Sequence, residues 1–335
     1  MKKLVNGLLY SLLIAVAAAG LAGVAHFAVQ EKERAALWEE AERRLAQAEQ
    51  EKANEDAQKE QASEDIRAVF VKNLPVYQEK KITKGKAGRV EMLSYGDEVT
   101  VLEEDGLYTK VRTRQESVGY VWSDCIGSSE GGQNLTPLQI VVLDVKLSGQ
   151  DGEEAQEADA LCLKLAADLE QRLEERGYAA VLTARAGEQE NKEAKRTLLA
   201  NQIQADARLQ IALENDADGA ADGGSEPAAD SRAAVYCVAA DSADPAVQWY
   251  ADSKKLGKKI LKYYTKQTGM ENGGVLESGD GTSMNQSKMP AVTLKLGDFS
   301  ASGQSGKMKK AKFQAKMVQG IADGIEAYFQ AADAE

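Results

Sequence analysis

The chain has one histidine among 335 residues, His26, and only three cysteines, five prolines and 6% aromatic side chains. With no second imidazole, a Ser-His-Asp or Cys-His catalytic set is excluded beyond that position, because neither nucleophile has a histidine to take its proton. A histidine-ligated zinc centre is excluded there as well. Cys125, Cys162 and Cys237 are too few and too scattered for a disulfide framework, and no CxxC spacing offers a thiolate metal site. Free buried thiols are the expectation, with one disulfide pair as the alternative. Excess positive charge is also absent. Against 53 Asp and Glu stand 41 Lys and Arg, a formal net charge of −12, which excludes an extended nucleic-acid surface. What the chain does have is length for two modest domains plus extensions, and 43% apolar residues, enough to bury a core.

The longest uncharged run is GLLYSLLIAVAAAGLAGVAHFAV, residues 7–29, preceded by Lys2 and Lys3. At ~1.5 Å per residue it is long enough for a ~30 Å hydrocarbon layer. Residues 1–30 therefore read as a transmembrane anchor with the bulk of the chain extracytoplasmic, or as a signal segment cleaved on secretion. His26 is then an interface residue. Residues 31–64 are rich in Glu, Lys, Arg, Gln and Ala without Gly or Pro, a composition that predicts a charged helical stalk. Trp38, Ala41, Leu45 and Ala48 follow a 3-4 spacing over two heptads, which leaves a dimerising coiled coil as the second reading.

Residues 65–127 change period. IRAVFVKNL, EVTVLEE, LYTKVRT and VGYVWS alternate, are rich in Val, Tyr and Thr, and are separated by YGD and EDG turns, which predicts a small antiparallel barrel. Residues 128–137 read as a Gly/Ser linker. From 138 to 331 strands alternate with helices: LQIVVLDV, a helix from Glu154 to about Arg176 with Leu161, Leu165, Leu169 and Leu173 on one stripe, YAAVLTA, a helix from 188 to 204, and ARLQIAL. After an acidic Gly/Ala-rich loop at 215–232 come AAVYCVA, a helix from Leu256 to Thr268, AVTLKL and a helix from Lys307 to Phe329. The fold class is α/β, a mostly parallel sheet flanked by helices. Asp216, Asp218 and Asp222 in the acidic loop leave open weak calcium binding, an unstructured loop being the plainer reading.

The series YGDEVTVLEEDGLYTKVR with GYVWSDCI resembles bacterial SH3 domains. That resemblance implies binding of peptidoglycan or a protein through exposed aromatics, for which Tyr95, Tyr108, Tyr120 and Trp122 are the candidates; the competing reading is that they fill the barrel's core. Alternation puts Tyr120 and Trp122 on one face, with a shared fate. Residues 138–330 resemble the zinc-dependent N-acetylmuramoyl-L-alanine amidases of the type 3 family, which cut the bond between muramic acid and the stem peptide of peptidoglycan. The family's DPGHGGxDxG is echoed by LDVKLSGQDG with Asp144, Gly149, Asp151 and Gly152 in register. GYAAVLTAR echoes its GY and LTR, Arg196, Ala200 and Asn201 match its R-three residues-AN, ADARLQIALEN echoes AD and SIHAN, and PAVTLKLGDF echoes PAVLVE-GF.

At the positions of the family's chemistry the residues differ. The resemblance puts Leu147 and Leu213 in place of the two zinc-ligand histidines and Lys295 in place of the catalytic glutamate, with Glu157 or Glu154 as the counterpart of the acidic ligand. Leucine offers no lone pair, and a lysine repels a cation and takes no proton from water. A Ser-Lys pairing of Ser148 with Lys146 or Lys295 rests on residue type alone. No cofactor or metal and no catalytic residue is therefore expected. The leading expectation is an extracytoplasmic pseudo-amidase that binds peptidoglycan without hydrolysing it. The alternatives are a scaffold docking a cell-wall or division protein, and an active amidase with divergent ligands.

Overall fold

The computed structural model describes residues 43, 44, 47, 65–128, 138–148, 152–185, 188–189, 192–214, 232–278, 282–299 and 304–332. The expected membrane segment at 7–29, the linker apart from Ser128 and the acidic loop apart from Arg232 lie outside these residues, as does the stalk apart from Arg43, Arg44 and Gln47, which are helical. Among the described residues no helix is long and apolar enough to cross a membrane. The chain divides into two compact units, residues 1–64 and Asp65–Glu335.

The second unit opens with seven strands: β1 Ile66–Val69, β2 Asn73–Tyr77, β3 Arg89–Ser94, β4 Glu98–Asp105, β5 Tyr108–Thr113, β6 Val118–Trp122 and β7 Ile126–Ser128. They form one antiparallel sheet in the order β3-β2-β6-β5-β4-β1-β7. Among the described residues no ladder joins β3 to β7, so the expected barrel is open by hydrogen bonding. The alternating apolar residues Leu74, Val76, Val99, Val111 and Val121 are buried together.

The rest of the unit runs β8 Ile140–Lys146, α1 Glu153–Glu174, β9 Ala179–Leu182, the short pair β10 Ala184–Arg185 and β11 Glu188–Gln189, α2 Glu193–Gln202, β12 Ala207–Glu214, β13 Ala233–Val238, α3 Tyr250–Thr268, β14 Asn272–Ser278, α4 Thr282–Asn285, β15 Ala291–Asp298, α5 Gln304–Met308 and α6 Ala311–Ala332. Six strands form a sheet in the order β14-β13-β15-β12-β8-β9. Every pairing in it is parallel except β13 with β15. The expected 188–204 helix begins only at Glu193, the helix expected from Leu256 starts six residues earlier at Tyr250, and the expected 307–329 helix divides into α5 and α6.

Period-two alternation gives the sheet two different faces. Val141, Leu143, Val145, Leu209, Ile211, Leu213, Leu294 and Leu296 join the core containing the buried stripe of α1 with residues of α3 and α6. Leu161, Leu165, Leu169 and Leu173, four apart, are that stripe. α1 stops where Gly177 takes φ 83° and Tyr178 N–H donates to Leu173 C=O at 3.1 Å, the closure that satisfies a helix's last carbonyls. α3 and α6 touch backbone to backbone: a Cβ on Gly324 would stand 2.4 Å from Ile260 Cα.

The other face carries Ile140, Val142, Ala179 and Val181 into a core shared with Leu199 and Ala200 of α2, with Ile203 at its C-terminal cap and with the antiparallel module. Specific bonds reinforce that shared core. Tyr77 Oη donates to Gln202 Oε1 at 2.6 Å, Gln202 Nε2 donates to Thr83 C=O at 2.8 Å, and Lys72 pairs with Asp206 at 2.5 Å. β9 is an edge strand, and its outer side is blunted by the module: Trp122 Nε1 donates to Leu182 C=O at 2.8 Å, and Leu182 N–H donates to Asp124 Oδ2 at 2.9 Å. The two pieces are therefore one body.

Candidate functional site

In parallel α/β sheets the groups that do chemistry gather at the C-terminal ends of the strands. Here Lys146, Ala212 and Lys295 lie abreast on β8, β12 and β15. Leu147 follows Lys146, half-buried against the helical-layer core, and Leu213 follows Ala212, 6% exposed within that same core. Lys295 is 5% exposed; its neighbours Leu294 and Leu296 face the helices, so alternation sets Lys295 beside Thr293 on the α2 face. Glu154 and Glu157 stand exposed on the first turns of α1, and Glu157 accepts Lys309 Nζ at 2.6 Å. Leu147 and Leu213 are thus brought to one face of the sheet, Lys295 to the other, and Glu157 to the outside of a helix.

Ser148 is fixed to α1, its N–H donating to Asp159 Oδ1 at 2.9 Å and its hydroxyl to Asp159 Oδ2 at 3.0 Å. Asp159 gave no signal in the sequence. Cys125, Cys162 and Cys237 are free and buried. Burial pushes the Cys125 and Cys162 thiols up, away from the reactive thiolate.

Beneath the strand ends lies a buried polar network. Asp144, fully enclosed, accepts Val145 N–H at 2.9 Å, Thr183 Oγ1 at 2.6 Å and Arg196 Nε at 2.6 Å on Oδ1, and Gln210 Nε2 at 3.0 Å together with Arg208 on Oδ2. Gln210 Nε2 also donates to Glu193 Oε1 at 2.9 Å, and Thr293 donates to Gln210 Oε1 at 3.0 Å. Burial raises the carboxyl of Asp144, but Arg208 and Arg196 more than offset this and hold it below its ordinary range. Five donors on two oxygens occupy its acceptor capacity, so the network binds strands and α2 together and has no lone pair left for a cation. The sequence match had singled out Asp144 and Arg196. Arg208 and Gln210 were missed, although the two-residue spacing in ARLQIAL puts them on one face.

A zinc ion needs about three nitrogen, oxygen or sulfur donors around one point. Leu147 and Leu213 supply none, and among the described residues no three His, Cys, Asp or Glu side chains are placed to hold a metal. Among the described residues, the donors present do not fit zinc.

The four aromatics of the antiparallel module separate. Trp122 is fully buried against the sheet edge at Leu182, and Tyr108, 8% exposed, packs edge-to-face on it at 5.0 Å. Burial removes both from any ligand platform and parts Trp122 from Tyr120, against the expected shared fate. Tyr120 is half-buried, with Lys80 and Lys110 5.6 and 6.0 Å from its ring centre, and Tyr95 is half-buried.

A groove of about 660 Å³ runs between α1 and β9–β10 over Ala160, Leu163, Ala167, Leu182 and Ala184. Arg185 also lines it, bonded to Asp124 of the module at 2.5 Å and to Glu170 of α1 at 2.8 Å. Burial and the nearby Asp124 push Glu170 up to about 8 despite Arg185. A smaller pocket of about 270 Å³ is walled by Glu153, Glu154, Glu157, Phe299, Ser305 and Lys309.

Residues 141–327 match the family model of the N-acetylmuramoyl-L-alanine amidases. No curated protein sequence matches the chain. Among solved structures, the catalytic domain of the amidase CwlV from Bacillus (Paenibacillus) polymyxa var. colistinus is 22% identical, over 58% of this chain and 99% of that one, with a TM-score of 0.46. AmiC2 of Nostoc punctiforme is 21% identical over 57% and 97%, TM-score 0.46. The CwlD amidase of Clostridioides difficile, solved in complex with the GerS lipoprotein, is 17% identical over 58% and 99%, TM-score 0.41. With the family match extending from β8 into α6, over more than half of its length, the chain belongs to the N-acetylmuramoyl-L-alanine amidase family.

Proposed function

We propose that this protein is an inactive member of its family, a membrane-anchored extracytoplasmic pseudo-amidase that binds peptidoglycan without cutting it. The observation that carries this reading is the apolar packing of Leu147 and Leu213, the resemblance's counterparts of two zinc-ligand histidines. Lys295, at the counterpart of the catalytic glutamate, supports it. A lysine there offers no carboxylate to activate water and adds a positive charge that opposes a divalent cation. Binding to the wall then rests on what is accessible: Tyr120 between Lys80 and Lys110, and Tyr95, in an antiparallel module whose sequence resembles bacterial SH3 domains. Residues 7–29 supply the anchor and residues 31–64 the spacer in this reading.

The test is cosedimentation of Asp65–Glu335 with intact peptidoglycan sacculi, with the supernatant assayed for released stem peptides. Pelleted protein without release is the expected result, and Tyr120→Ala should lower the pelleted fraction. Release of stem peptides overturns inactivity. Protein that stays in the supernatant overturns wall binding and transfers weight to a scaffold for a protein partner, for which the groove beside α1 is the available surface.

A further inference from the structure

Within a chain of net charge −12, α3 carries Lys254, Lys255, Lys258, Lys259, Lys262 and Lys266 against the single acid Asp252. Lys254 is tied to Glu277 at 2.9 Å. Lys258, Lys262 and Lys266 stand exposed at successive four-residue intervals, one row on one side of the helix, about 12 Å long. α6 continues the charge. Gly320 packs on Tyr264 and Gln267 near the end of α3, and the exposed Lys316 and Lys312 precede it by one and two turns. The two acids of α6, Asp323 and Glu326, lie further along the helix and are both taken by Arg176 at 2.8 Å. α1, in the same helical layer, has the reverse balance, with seven acids and two bases.

Folding does not require this row. Leu256, Ile260, Leu261 and Tyr264 hold α3 to the sheet, while like charges four residues apart oppose the helix that carries them. The row is lysine throughout, and it lies outside the groove and the smaller pocket described above. Lysine is a flexible, hydrated point charge, suited to a diffuse anionic surface; a shaped carboxylate or phosphate ligand favours the fork of arginine in a pocket. A spacing of about 6 Å between successive lysines is below the Debye length, so the charges act together.

We infer that the ridge of Lys258, Lys262 and Lys266, extended by Lys312 and Lys316, is a docking surface for an anionic lipid bilayer. Polybasic clusters of this size bind such membranes. The reading of residues 7–29 as a bilayer segment makes lipid the anion within reach.

The experiment is flotation of Asp65–Glu335, which holds both cores and lacks the apolar N-terminal run, with phosphatidylcholine–phosphatidylglycerol vesicles. Vesicles of phosphatidylcholine alone and sacculi serve as comparisons. Expected is binding to the mixed vesicles and not to phosphatidylcholine alone, released by salt, and at least about tenfold weaker in Lys258→Glu/Lys262→Glu/Lys266→Glu, while any binding to sacculi is unchanged by those substitutions. Circular dichroism checks that the variant is folded. Lys84→Glu/Lys86→Glu, exposed between β2 and β3, should bind as the parent does. No binding to mixed vesicles, equal binding to neutral ones, or full binding by the folded triple variant overturns the inference. Ridge-dependent binding to sacculi in place of vesicles overturns the assignment to lipid.

Discussion

Asp144 is the residue whose removal tests the site reading most directly. It is fully enclosed, and the side chains of both arginines on it, Arg196 and Arg208, are themselves at most 5% exposed. Asp144→Ala would leave two buried cations facing each other without their anion. Breaking a buried pair from one side costs about 3–5 kcal/mol, and a unit of this size loses roughly 2–4 °C of melting temperature per kcal/mol. The expected drop is therefore about 6–20 °C at neutral pH, read by thermal denaturation followed by circular dichroism. Asp144→Asn, which keeps the shape and an acceptor oxygen, should lie between the alanine variant and the parent, and it remains informative if the alanine protein does not fold. The acid side supplies a sign. The folded carboxyl is held below its unfolded value of 3.8, so its contribution is present above that pH and is lost as pH falls through the folded value. The gap between parent and Asp144→Asn should then close only in strong acid. A loss smaller than about 1 kcal/mol, the worth of an ordinary exposed pair, would refute the view that this network ties β8, β12 and α2 together.

The element order of the α/β portion was legible because its strands are short apolar runs separated by Leu stripes at helical spacing. Leu161 through Leu173 announce α1 as plainly as any helix can. β3 and β14 were not anticipated: RVEMLS leaves Val90 and Met92 facing solvent, and NGGVLES carries two glycines, so neither shows the buried alternation that marks a strand. The start of α2 was misplaced because EQEN looks helical by propensity, while the chain spends Glu188 and Gln189 on a two-residue strand pair. At the candidate site, matching a motif register found Leu147, Leu213 and Lys295, since register needs only order along the chain. It missed Asp159, Arg208 and Gln210, whose significance comes from side chains meeting across three elements. The burial of Trp122 was beyond sequence for the same reason: its alternation within β6 is regular, and what covers it is the edge of another sheet 60 residues away.

That edge contact changes what the antiparallel module is for. A domain on a flexible linker would keep its aromatics free and move independently; here Trp122 and Asp124 use their polar atoms to cap Leu182, and the two pieces share one core. The module therefore contributes to the stability of the α/β sheet as well as any surface it presents. Of the four candidate aromatics, Tyr120 and Tyr95 keep partial exposure, Tyr120 on the same face of β6 as Trp122.

Three further outcomes follow from these contacts. Trp122→Phe leaves the Leu182 carbonyl without its donor and should cost about 1–3 kcal/mol in a single cooperative transition; two separated transitions in calorimetry would refute the shared core. Glu170, with its folded value raised to about 8 above an ordinary 4.5, costs stability as pH climbs from 4.5 through 8, because the folded state resists the charge that the unfolded chain accepts. Glu170→Gln should flatten the fall in melting temperature across that window, and a fall as steep as the parent's would show that another group is responsible. The last outcome concerns the metal. An ion bound to the folded state alone at a hundred times its dissociation constant stabilises by about 2.7 kcal/mol, and for this chain length that is roughly 5–10 °C. With leucine at both positions that the resemblance matches to ligand histidines, melting of Asp65–Glu335 in EDTA and in added zinc should differ by less than about 1 °C. A rise of several degrees in zinc that EDTA reverses, with stoichiometric metal in the dialysed protein, would mean that donors elsewhere have assembled a site, and the pseudo-amidase reading would fall with it.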